Sequence, residues 1–233
     1  IASLIVFFSY KKRAISLDGG LIAILTAQIL YVFGGVHLDM ALIAFFVLGS
    51  VASRFSNEEK EKIKKRERAE KNGRNRRQVV CNSLPAVLIA FYSYFGKDEI
   101  LLLAYVVFAA AAADTFASEI GSLTKGKVIS LIGFKEVPKG LSGGVSLLGL
   151  VASLVGSLLL ALFAGFEFGY YGVVFCFKLG FLGSIIDSIL GSLFQKKYLA
   201  EDGTLQDKAN KKGDPVVKGL PFVTNNLVNI VTL

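Results

Sequence analysis

The sequence predicts an all-α, polytopic integral membrane bundle of about eight spans, the first and last incomplete. Three observations predict it. Of 233 residues, 53% are hydrophobic and the mean hydropathy is +0.58, values rare among soluble chains. Several apolar runs approach the ~20 residues that a bilayer-crossing helix needs, and they are continuous rather than alternating as in barrel strands. The basic residues fall in alternate loops between those runs.

Residues 1–10 read as the tail of a first span, closed by Lys11, Lys12 and Arg13. Residues 19–36 and 38–53 read as two short spans around a tight turn at 34–39. His37, the only histidine, lies in that turn and reads as a surface residue. Residues 54–78 are the most polar stretch and read as a charged, solvated hairpin. Ser56 as N-cap with Glu59 three residues on has the form of a capping box, and Glu58/Lys62 and Glu61/Lys65 are i,i+4 pairs in the favourable order. Gly73 is a stop signal.

The next span covers residues 79–95, with Gln78 and Asn82 one turn apart on one face. A turn at 96–98 leads to the central span, residues 99–121. The basic loop 122–140 follows, then spans at 141–164 and 170–194 joined by a turn at 165–169. The loop 195–219 is polar and basic, and residues 220–233 begin a last span. All 233 residues read as one membrane domain, with native residues expected beyond one or both ends. Cys81 and Cys176 lie in or beside apolar runs and suggest neither a disulfide framework nor a metal site.

Lys and Arg number three in 11–13, eleven in 54–77, four in 125–139 and six in 196–218, which is 24 of the 26. Only Lys97 lies in an opposite loop, and Lys178 lies within a span. Positive-inside logic puts the four basic loops in the cytosol, in the plasma membrane if the source is prokaryotic. The net charge of +8 is therefore a topology signal and does not point to nucleic acid.

That orientation brings five polar clusters to the cytosolic leaflet. The first is AAAAADTFASEIG, residues 109–121, which places Asp114, Thr115, Ser118 and Glu119 at the end of the central span. The second is KGLSGGVS, residues 139–146, at the start of a span. The third is GSIIDSILGS, residues 183–192, with Ser184, Asp187 and Ser188. The others are GRNRRQVVCN, residues 73–82, and the run holding Asn225, Asn226 and Asn229. Carboxylates at membrane depth are costly and usually functional. Asp114, Glu119 and Asp187 are hard oxygen ligands suited to Mg²⁺ shared with substrate phosphates. Lys139 with Gly140, Ser142, Gly143 and Gly144 offers a cation and flexible backbone to phosphate, although the spacing is not that of a Walker A loop. Lys125, Lys127 and Lys135 add to an anion-attracting surface. Together these groups suggest a metal–nucleotide site facing a membrane-embedded substrate.

The pattern D-x-x-A-S-x-x-G at residues 114–121 resembles the signature of CTP-dependent polyprenol kinases of the dolichol and phytol kinase type. More of the chain resembles the transmembrane protein 19 and plant phytyl-phosphate kinase family. Its motifs run in order through GRN-x-x-Q-V at 73–79, ADT-x-ASEIG at 113–121, KGLSGGVS at 139–146, GS-x-x-DS-x-LG at 183–191 and the asparagines at 225–229. The resemblance implies phosphoryl transfer from a nucleoside triphosphate, CTP favoured, to an isoprenyl monophosphate such as phytyl or geranylgeranyl phosphate. Asp114 and Asp187, with Glu119, would hold Mg²⁺, and Lys139 with residues 140–144 would hold phosphate. Arg74, Asn75, Gln78 and Asn82 join the binding set with Thr115, Ser118, Ser184, Ser188 and the three asparagines. Arg76 and Arg77 make GRNRRQVVCN more basic than the family pattern.

Two other readings fit the same residues. A lipid cytidylyltransferase would use the same motif and release pyrophosphate. A non-enzymatic transporter of an anionic lipid or small anion would give a role to Lys178. Gly180, Gly183, Ser184, Ser188 and Gly191 also suit close helix packing.

Overall fold

The computed structural model describes residues 2–66, 73–96, 98–200, 203–209, 211 and 214–233. Among them are seven helices: α1 (Ala2–Lys11), α2 (Leu17–Ala52), α3 (Glu58–Arg66), α4 (Arg76–Ser93), α5 (Asp98–Gly121), α6 (Leu147–Leu193) and α7 (Asn225–Thr232). Three of these, α2, α5 and α6, are long and apolar enough to cross a membrane. The all-α class therefore holds, whereas eight separate spans are not seen. The expected spans at 79–95 and 220–233 correspond to α4, whose polar first turns lower its hydropathy, and to the short α7.

The two longest helices are each broken at one glycine. Gly35 in α2 has φ 77 and ψ 178, and Gly169 in α6 has φ 58 and ψ −156. Such angles suit a residue without Cβ and reverse the chain at that point. The reversal is visible in the packing. A methyl on Gly19 would lie 2.7 Å from the carbonyl oxygen of Arg74, and one on Gly49 would lie 2.2 Å from its Nη2. In a straight helix those glycines would be about 45 Å apart. Likewise Ser157 donates to the Phe177 carbonyl at 2.8 Å. The expected turns at 34–39 and 165–169 thus contract to one residue each, giving hairpins 17–34/36–52 and 147–168/170–193. The two tips meet where His37 Nδ1 lies 3.2 Å from Glu167 Oε1 and the His37 ring stacks on Phe166.

Helix α5 is the centre of the bundle. Ala104, Tyr105, Val107, Phe108 and every residue from 109 to 113 are buried, so its middle is enclosed by the other helices. Its small side chains admit both halves of α6. A methyl on Gly156 would lie 2.7 Å from the Ala112 carbonyl, and one on Gly180 would lie 2.6 Å from the Ala109 side chain. Membrane helices gain from such approach because dispersion contacts replace a hydrophobic drive.

The connecting segments carry two small hairpins. Strand β1 (Ile129–Ser130) pairs antiparallel with β2 (Gly144–Val145), Ile129 opposite Val145 and Ser130 opposite Gly144. Strand β3 (Tyr198–Leu199) pairs with β4 (Leu205–Gln206). The first hairpin delays the helix after KGLSGGVS. It starts at Leu147 with Ser146 as N-cap, whose Oγ accepts from Gly149 N at 3.0 Å, and not at residue 141 as expected.

The charged segment is also revised. Asn57, not Ser56, caps α3, its Oδ1 accepting from Lys60 N at 3.0 Å. Its ion pairs are i,i+3, Glu59 with Lys62 and Glu61 with Lys64. Lys60 is buried, so the helix is not wholly solvated. The approach of the chain to the expected stop at Gly73 lies outside the described residues.

Candidate active site

The polar end of the bundle holds a cavity of about 310 Å³. Its position follows from helix register. Gly180 packs on Ala109, and a methyl on Gly183 would lie 2.8 Å from Ala110 Cβ. One turn further on each helix stand Asp187 and Asp114, and both line the cavity. Ser118, Glu119 and Gly121 complete the α5 wall, Ser146 and Ser153 that of the first half of α6, and Ser184 and Ser188 that of the second. Residues 139–145 close one side, Lys60 and Lys64 of α3 another, and Asn225 of α7 the last.

Asp187 is oriented from α7, where Thr232 Oγ1 donates to its Oδ2 at 3.0 Å. Asn229 links that helix to α4, its Nδ2 donating to Asn82 Oδ1 at 3.1 Å, while Asn225 Nδ2 donates to Asn229 Oδ1 at 3.3 Å. With its amide turned over, the Asn229 NH₂ reaches Asp187 Oδ2 at 3.3 Å. Either orientation places Asn229 between the two neighbours.

The glycine loop is braced from outside. Gly140 and Gly143 have φ of +84 and +80. Ser142 N and Oγ both donate to Asp207 Oδ2, at 2.8 and 2.5 Å, and Gln195 Nε2 donates to Ser142 Oγ at 2.7 Å. Lys197 Nζ donates to the carbonyls of Ser142 at 3.0 Å and Gly191 at 3.1 Å. Burial pulls the Lys197 pKa down, and the Asp207 charge opposes that. Nothing in the sequence marked Lys197, Gln195 or Asp207, since they sit in the basic loop 195–219. The Ser142 amide, expected to face phosphate, is thus taken by a carboxylate of the chain itself. Because the α6 helix begins later, residues 140–144 present a turn and strand rather than a helix N-terminus.

The family is now recognisable as well as the site. The description "integral membrane protein DUF92" matches residues 1–233. The chain belongs to this family. Within DUF92 and its relatives, the chain is 32% identical to an uncharacterized membrane protein, MJ0933, of Methanocaldococcus jannaschii, over 80% of the chain and 77% of that protein. It is 31% identical to protein PGR of Arabidopsis thaliana, over 100% of the chain and 90% of PGR. It is 26% identical to the chloroplastic protein VTE6 of the same plant, over 82% of the chain and 53% of VTE6. No solved structure matches. The family resemblance carried by the ordered motifs is borne out.

The remaining expected site residues of this DUF92 chain are placed differently. Glu119 turns to α3, its Oε2 lying 2.7 Å from Lys60 Nζ, and among the described residues no three acidic, His or Cys side chains gather as a metal cage. Lys139 lines the cavity, but its Nζ donates to Glu59 Oε2 at 2.9 Å and to the Thr124 carbonyl at 3.2 Å. The Lys139 ammonium, with that of Lys62, holds the Glu59 carboxyl below its usual range.

Asn75 and Gln78 form a reciprocal capping box on α4, each side chain accepting the other's N–H. Lys125, Lys127 and Lys135 are exposed outside the cavity, and Lys127 pairs with Glu136 at 3.3 Å. Thr115 and Asn226 do not line the cavity. Arg74, Gln78 and Asn82 instead line a second, apolar cleft. Lys178 is exposed on the outer face of α6.

Proposed function

We propose that this chain is a membrane kinase that transfers the γ-phosphoryl group of a nucleoside triphosphate, CTP favoured, to an isoprenyl monophosphate. The observation that carries the reading is the pairing of Asp114 and Asp187 across one polar cavity beside the glycine loop. Family membership and the likeness of residues 114–121 to polyprenol kinase signatures support the same chemistry. In the transfer, an oxygen of the acceptor phosphate bonds to Pγ, the bond from Pγ to the bridging oxygen breaks, and the nucleoside diphosphate leaves. The acceptor is already anionic, so no strong general base is required.

Two carboxylates with the Ser184 and Ser188 hydroxyls nearby suit a Mg²⁺ completed by substrate phosphates and water, not an all-protein cage. Such an ion supplies positive charge to the phosphates. Asp114 and Asp187 would hold it. Gly143 and Gly144 would bound the phosphates with their backbone, their missing side chains letting the loop pack on Ser192 and Val128. Lys60 neutralises Glu119 and keeps that acid from repelling them. Positioning and electrostatics supply most of the rate in such transfers.

Eight membrane passes, counting each half of α2 and α6, with the basic loops and this cavity at the cytosolic leaflet, belong to the same proposal. The cytidylyltransferase alternative differs in its leaving group. Purified protein supplied with labelled CTP and geranylgeranyl phosphate should release CDP. Pyrophosphate with CMP left on the lipid would replace the kinase reading with nucleotidyl transfer.

A further inference from the structure

The GRN stretch, residues 73–75, builds an arginine site that the cavity above does not use. Gly73 has φ +68, and a methyl there would lie 2.3 Å from the Ala14 carbonyl carbon. Arg74 N donates to Ala14 O at 3.0 Å, and Ser16 N donates to Arg74 O at 3.0 Å. Asn75 then caps α4. The Arg74 backbone is thus clamped on both sides and its side chain is directed inward. The guanidinium lies over the Phe45 ring at 5.0 Å and near that of Phe46 at 5.8 Å. Its Nη1 is buried and has no hydrogen-bond acceptor among the described residues. A buried guanidinium keeps its charge, and the unused donor favours an anion.

Directly beside it lies an apolar cleft of about 50 Å³, walled by Val6 of α1, Ala23 and Ala27 of α2's first half, and Leu42 and Phe46 of its second. No residue of α1 is buried, so that wall is lightly held. Asn82 lines the cleft and also bonds Asn229, which lies beside Asp187. Asn82 and Asn229 therefore link the cleft to α7, the helix that also holds Asp187.

Resting on the kinase reading, we propose that this cleft seats the first isoprene unit of the acceptor lipid, with the rest of the chain running out into the bilayer, and that Arg74 binds its phosphate. A positive head above an apolar slot fits a lipid monophosphate. It offers little to a neutral prenyl alcohol and no chain contacts to free phosphate.

Native mass spectrometry of the full chain in detergent, without nucleotide, tests the assignment. The probes are geranylgeranyl phosphate, isopentenyl phosphate, geranylgeraniol and inorganic phosphate. The expected result is that geranylgeranyl phosphate binds about tenfold or more tightly than geranylgeraniol and inorganic phosphate. Arg74→Gln should weaken it by about tenfold or more. Ala23→Phe, which fills the slot from a half-buried position, should weaken both geranylgeranyl phosphate and isopentenyl phosphate and leave inorganic phosphate unchanged. If Arg74→Gln does not fold, Ala23→Phe and the comparison of the probes decide. No binding to the wild-type chain, binding equal to wild type in the folded variants, or equal binding of inorganic phosphate would each overturn the assignment. The expected binding pattern with no diphosphate formed from any nucleotide would leave this site standing and remove the kinase reading. Diphosphate formation with unaltered KM in both variants would do the reverse.

Discussion

Asp187 carries a role that can be separated from its fold. Thr232 and Asn229 hold it from α7, and its carboxylate faces the cavity. Asp187→Asn keeps size and the Thr232 contact but removes the charge, and turnover should fall by about 10²–10³-fold, the cost of one preorganised charged group. Thr232→Ala should cost less, about tenfold, since it loosens the carboxylate without removing it. Steady-state rates of the two variants check this ordering, and equal losses would place Thr232 in direct contact with substrate. Lys60 is the residue whose importance the sequence concealed. Its ammonium meets Glu119 Oε2 and the carbonyls of Phe55 and Glu119. Lys60→Met leaves those buried acceptors unmatched and should destabilise by about 1–3 kcal/mol, read as a lower Tm in detergent. An unchanged Tm would mean that this ammonium is not seated there.

At the scale of elements, the glycines of α6 decide how closely it meets α5. Gly180→Leu forces a large side chain against Ala109 and should cost about 1–3 kcal/mol or more and reduce activity, because Asp187 rides on the same helix. Unfolding and rate measured on one preparation check both effects. Much of this was legible in the sequence. Continuous apolar runs gave the helices, and Gly35 and Gly169 lie inside the expected turns. The register bringing Asp114 to Asp187 follows from alanines and glycines that can be read off the chain. What stayed hidden depends on contacts between distant segments. Lys60 looks like any other cation of α3 until its burial is known. Asn75 and Gln78 looked like ligands because a capping box uses the same side chains as a binding site. Asp207, Gln195 and Lys197 brace Ser142 from more than 50 positions away, with no local pattern to mark them.

For the whole molecule, the two helical hairpins place their tips, Gly35 and Gly169, at one end and the basic loops with the polar cavity at the other. If the basic loops face the cytosol, Lys135→Cys in a background lacking Cys81 and Cys176 should react with an impermeant maleimide only after the membrane is opened. Glu167→Cys, at the hairpin tips, should react in intact cells. The reverse pattern would invert the molecule and move the cavity to the outer leaflet. Chemistry at that cavity is the claim on which the account turns. The most direct test incubates the purified chain in detergent with Mg²⁺, each nucleoside triphosphate in turn and geranylgeranyl phosphate, and follows the lipid by mass spectrometry. The wild-type chain should form a lipid heavier by one phosphate group, and folded Asp114→Asn and Asp187→Asn should not. No such lipid from folded wild-type protein with any nucleotide, or an undiminished yield from both variants, would contradict it.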